Sequence, residues 1–113
     1  MINFKTHYDS ENDDLFLYLD GAKSSGSIEA GDLIFDFDEK GNLVAMQVTE
    51  ASKFFRILLS KSIILSNSIS FKAEATKFRN IESVRFTISD DFNKETANIL
   101  VPRITNSSPS LEY

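Results

Sequence analysis

Asp36, Asp38 and Gly41 lie in the run DLIFDFDEKGN that begins at Asp32. They fall at the first, third and sixth places of a calcium-binding helix–loop–helix motif. The other places do not fit. Lys40 puts a cation where an oxygen ligand belongs, and Gln47 stands where a bidentate glutamate is required. Strand-like alternation also flanks these acids where helices would be needed. A hairpin turn accounts for the run better, with Gly41 or Asn42 supplying the positive φ of a tight reversal. Asp9, Asp36 and Asp38 stay as candidate metal ligands, because clustered carboxylates can hold Mg²⁺ or Ca²⁺ or divide acid and base roles. Acids on an exposed strand face also keep a sheet in solution and guard its edge. No metal ligand, cofactor or catalytic residue is assigned on this reading.

Other chemistries find less support. His7 is the only histidine, and it alternates with Asn3 and Lys5 on the polar face of an edge-like strand. That is the setting of a solvated imidazole rather than a general base. No serine sits in a G-x-S-x-G elbow. Gly21 and Gly26 have the spacing of a phosphate-binding loop, but Ser27 and Ile28 replace the lysine and hydroxyl that such a loop needs. The chain has no cysteine, which removes disulfides, thiolate metal sites and thiol nucleophiles.

The elements that must position these residues are mostly strands. Ile2, Phe4, Thr6 and Tyr8 alternate with polar neighbours, and Leu15, Leu17 and Leu19 follow across the turn formers SENDD, which predicts a hairpin. GAKSSGSIEAG is a loop able to hold a short strand near Ser27 to Ala30. Leu33, Phe35 and Phe37 line one face of the next strand, and Val44, Met46 and Val48 line its partner. Thr49 is placed to cap a helix by accepting from the backbone of Ser52. Ala51, Phe54, Phe55, Leu58 and Leu59 then form an apolar stripe opposite Lys53, Arg56 and Ser60. SIILSNS reads as either a short strand or a packed loop. Three alternating runs close the chain, around Phe71, Ala73 and Ala75, around Val84, Phe86 and Ile88, and around Ala97, Ile99 and Val101. Pro102 ends the last by removing a ladder donor.

HYDSENDDLFLYLDG followed by GDLIFDFDEKGNLVAMQVTEAS resembles the small prokaryotic family known as domain of unknown function number 2283. Tyr8, Asp9, Leu15, Asp32, Asp36, Asp38, Gly41, Leu43, Val44, Glu50, Ala51 and Ser52 carry the resemblance, which runs from residue 7 to about 59. Ala45 departs from it where a glycine is frequent. The family has no agreed activity. The resemblance implies an antitoxin-like, partner-binding role, and it leaves the strands after Ile69 unaddressed.

The expected fold is therefore α+β: an antiparallel β-meander, one amphipathic helix over about 50–60, then a second antiparallel β-meander. One domain over 1–104 is expected, with family-like elements in 1–60, an additional meander in 61–104 and a polar flexible tail at 105–113. Strands on both sides of a single helix also allow two small sheets sharing one core.

Charge is unevenly spread. Residues 1–50 carry eleven acids against three bases, and residues 51–113 carry six acids against nine bases. A net charge of −5 disfavours nucleic acid overall, although Lys72, Lys77, Arg79, Arg85, Lys94 and Arg103 leave a basic second half open. Nothing resembles a signal peptide or a membrane span, so a cytoplasmic location is expected. The leading function is a non-enzymatic binding or assembly module, a homodimer or the partner of a small protein. The alternatives are a metal-dependent enzyme using clustered aspartates and a nucleic-acid-binding sheet.

Overall fold

The computed structural model describes residues 2–59 and 69–102. They form β1 (Ile2–Asp9), β2 (Asp14–Tyr18), β3 (Gly26–Ala30), β4 (Leu33–Phe37), β5 (Leu43–Val48), α1 (Ala51–Leu59), β6 (Ser70–Phe78), β7 (Ile81–Ser89) and β8 (Lys94–Leu100). Every strand pair is antiparallel, and the strands make one eight-stranded sheet in the order β3-β4-β5-β2-β1-β6-β7-β8. The SIILSNS run and the 105–113 tail lie outside the described residues.

The expectation of strands around one short helix holds, but the arrangement differs in two ways. First, there are not two sheets. β1 gives Lys5–Asp9 to β2 and Ile2–Phe4 to β6, and so joins the two halves. Below Phe4 the junction opens, and the Thr6 hydroxyl spans it by donating to the Phe71 carbonyl at 3.2 Å. β1 is thus an interior strand, not the edge its polar alternation suggested. Second, the N-terminal half is no simple meander. β5 folds back beside β2, which puts β3 at the outer edge.

The registers give every strand one apolar face. Phe4, Leu15, Leu17, Leu33, Phe35, Met46, Val48, Ala73, Ala75, Val84, Phe86 and Ile99 pack into one buried cluster across both halves. Val44 is buried, as expected, but lies outside the main cluster. Phe37 pairs with Leu43 and Asp36 with Ala45, so Val44 is an extra residue at a bulge and Leu43 faces the core instead.

α1 covers the centre of this face. Phe55 is fully buried, with its ring edge-on to Phe86 at 5.4 Å and to Phe54 at 5.3 Å. Ala51 is buried beneath the first turn. Leu58, expected to face the sheet, is 40% exposed. A helix of nine residues spans about 13 Å at ~1.5 Å per residue. Over so short a length the stripe narrows to Ala51 and Phe55, with Phe54 and Leu59 at its margins.

Candidate functional site

Two of the three candidate carboxylates, Asp38 and Asp9, each fold their own piece of backbone, and Asp36 bonds across a strand pair. Asp38 follows β4 and accepts from the backbone N–H groups of Lys40 and Asn42, both at 2.9 Å, and from the Asn42 side-chain amide at 3.2 Å. Gly41 takes φ +82° and donates its N–H to the Asp38 carbonyl at 3.0 Å. The DFDEKGN run is a turn, as read. The Asn42 and Lys40 donors hold the Asp38 carboxyl below the ordinary aspartate range. Asp9 does the same work at the end of β1. It accepts from the Asn12 side chain at 2.8 Å and from the N–H groups of Glu11 and Asn12, and the Asn12 side chain leads in lowering its pKa. Asp36 lies within β4 and accepts from the Ser27 hydroxyl across the β3–β4 pair.

These carboxylates are not brought together. Asp36 is in register with Ala45, Tyr18 and Lys5, whereas Asp9 is in register with Asp14 at the other end of β1. Four residues along a strand and three strands across put the two roughly 19 Å apart on a flat sheet at ~3.3 Å per residue and ~4.8 Å per strand. No group of three or more histidine, aspartate or glutamate side chains poised to hold a metal ion occurs among the described residues.

The residue that sequence reasoning missed is Asp13. It closes the β1–β2 turn in the left-handed region, at φ 56°. Its backbone carbonyl accepts from Ala51 N–H at 2.8 Å, and its carboxylate accepts from Ser52 N–H at 3.1 Å and the Ser52 hydroxyl at 2.8 Å. The Tyr8 hydroxyl donates to the same carboxylate at 2.5 Å. Asp13 therefore caps α1 from a distant turn. It satisfies first-turn donors that have no partner inside the helix and sets negative charge at the positive end of the helix dipole. Thr49 is not the cap. Its hydroxyl donates to the Asp32 carbonyl at 3.1 Å, and Glu50, at φ 49°, turns the chain into the helix. Burial, helped by the bond to Asp13, pushes the Tyr8 phenol above its ordinary value. The signal for Asp13 lay in the D-x-L step Asp13–Leu15, where aspartate or asparagine suits both a left-handed residue and a cap.

The second sheet face is polar. His7 is exposed and stacks on Phe16 with centroids 6.3 Å apart. Lys5 pairs with Asp20, and Lys72 with Glu74 at 3.3 Å. By register, Asp9, Asp14, Glu29 and Asp36 lie toward the N-terminal half of this face. Lys72, Arg85 and Lys94 lie toward the other half. No described helix is long and apolar enough to cross a membrane.

A Tyr8–Asp13–Ser52 clasp thus ties α1 to the five-stranded half-sheet β1–β5. Residues 5–52 match the family described as "Protein of unknown function (DUF2283)", the family the sequence resembles. The match opens where β1 begins to pair with β2 and ends on Ser52, so it spans the half-sheet and its clasp. An uncharacterised protein of Methanocaldococcus jannaschii, MJ0789, is 42% identical over 69 residues, which is 61% of this chain and 58% of that relative. The alignment therefore covers less than two thirds of the relative's length. No solved structure matches the chain at a significant level.

Proposed function

We propose that this protein is a non-enzymatic assembly module that associates with itself through its open sheet. The observation that carries the reading is the topology. β3 and β8 end the sheet, and each has a strand partner on one side only among the described residues. Unpaired edge amides and carbonyls are a template for another strand. The aspartates that suggested chemistry support the same reading, since Asp9 and Asp38 build turns and Asp36 bonds across a strand pair. The assembling unit is residues 1–104, working in the cytoplasm as a homodimer. A small protein partner of the kind the family resemblance implies would compete for the same edges.

Sedimentation at rising protein concentration tests the proposal, at low salt and at 1 M salt. Strand pairing survives the high salt, whereas contact between an acidic and a basic half weakens as screening shortens to ~3 Å. A monomer at high micromolar concentration under both conditions overturns it.

A further inference from the structure

The two edges are not equivalent. β3 carries several of the devices that discourage pairing. It is five residues long, begins with Gly26, bears Glu29 and lies beside Asp36 on β4. Two copies meeting there would gather Glu29 and Asp36 twice. β8 is longer, at seven residues, and its last three, Asn98, Ile99 and Leu100, carry no charge. Leu100 is 71% exposed on the polar face of the sheet.

The direction of the β8 backbone groups follows from one bond. Val101 N–H donates to the Glu82 carbonyl at 2.9 Å, and this continues the register Leu100–Ser83, Ile99–Val84, Asn98–Arg85. In an antiparallel ladder, alternate residues turn both backbone groups to the same neighbour. Ile99 and Ala97 therefore face β7, as Val101 does, and Lys94, Thr96, Asn98 and Leu100 direct their N–H and C=O groups away from it. Among the described residues no strand pairs with them, and they form a row along the edge.

From this geometry we infer that β8 is the self-association edge, pairing antiparallel with β8 of a second copy about a two-fold axis at Ala97. The inference rests on the assembly reading above. In that register Lys94 lies opposite the partner's Leu100, and Thr96 lies opposite the partner's Asn98. All four outward-facing residues find mates. The charges of Lys94 and Glu95 sit at one end of the strand, so the antiparallel arrangement sets each charged end against an uncharged one and opposes no like charges. The lysine stem covers the partner's leucine while its ammonium stays in water. The contact is isologous and closes as a dimer, whereas β3 meeting β8 would be heterologous and would grow into a filament unless its rotation closed a ring.

Asn98→Pro tests this cleanly. Its N–H points away from β7, so proline removes no bond of the native ladder but blocks the partner strand. The expected result is a monomer by sedimentation, at a concentration where the unaltered chain is a dimer, with a near-native circular dichroism spectrum and melting temperature. If Asn98→Pro fails to fold, Leu100→Lys serves instead, because it sets a lysine against the partner's Lys94 and leaves β7 untouched. Its dimer should be weakened at low salt and recover at high salt. A variant that stays a dimer under these conditions overturns the β8 inference while the assembly reading stands. An unaltered chain that is itself monomeric overturns both.

Discussion

Asp13 ties β1 and α1 to one carboxylate through Tyr8 and Ser52, and the strongest single-residue prediction belongs to it. Asp13→Ala should destabilise the fold by about 1–2 kcal/mol, the range for losing a helix cap, as read by denaturant unfolding. Asp13→Asn should lose less, because asparagine tolerates the left-handed backbone and can still accept from Ser52. An alanine variant as stable as the parent would show that the clasp does not hold α1 in place. The turn aspartates give a pH test. Hydrogen bonds hold the carboxyls of Asp9, Asp38 and Asp90, the last accepting from Phe92 and Asn93 N–H between β7 and β8, below the ordinary value of 3.8. Each favours the folded state above that value, and its contribution fades as pH falls through the lowered folded value. Carboxyl-carbon chemical shifts should show all three titrating below 3.8, and a midpoint at or above that value would contradict the turn geometry. Tyr8 has the opposite sign. Its raised phenol favours the fold fully below the ordinary 10.0, and that contribution is lost as pH rises through the higher folded value. At this scale the sequence was half legible. Asp38 could be assigned to its turn because its partners, Lys40 and Asn42, are local. Asp13 could not be assigned to the helix because Ser52 is 39 residues away.

The β4–β5 turn and α1 are where patterning met its limits. Gly41 sits at φ +82°, so Gly41→Val should cost about 1 kcal/mol or more, since a β-branched residue resists that conformation. Calcium at millimolar levels should leave the amide spectrum of residues 36–47 unchanged. Saturable shifts confined to the loop would mean that Asp36 and Asp38 bind the ion after all. Phe55 is fully buried against Phe86, so Phe55→Ala should cost roughly 3–5 kcal/mol, while Lys53→Ala and Leu58→Ala, at exposed positions, should each cost far less. Strand positions were readable because period-2 alternation reports directly on which face is buried. Leu43 was missed as a core residue because a bulge inserts one residue into that period, and nothing local announces it. Leu58 was misplaced because a stripe says which residues share a helix face, not how far the sheet beneath them reaches.

At the scale of the whole molecule, the neighbours of β1 decide the architecture. Alternation in Ile2 to Tyr8 identifies a strand but not its partners, and the split between β2 and β6 is a long-range choice made by packing. The two halves differ in charge, and the family match ends at Ser52, before the β6–β8 meander. Among the described residues the sheet ends in two edges, β3 and β8, and the proposed assembly uses them. Amide hydrogen exchange on the intact chain, resolved by residue at dilute and at high micromolar concentration, tests that claim most directly. The account predicts that Thr96, Asn98 and Leu100 exchange fast when dilute and become protected as concentration rises, while Ala97 and Ile99 are protected throughout. Fast exchange at every outward-facing amide of β3 and β8 at the highest concentration, with the interior strands fully protected, would contradict it.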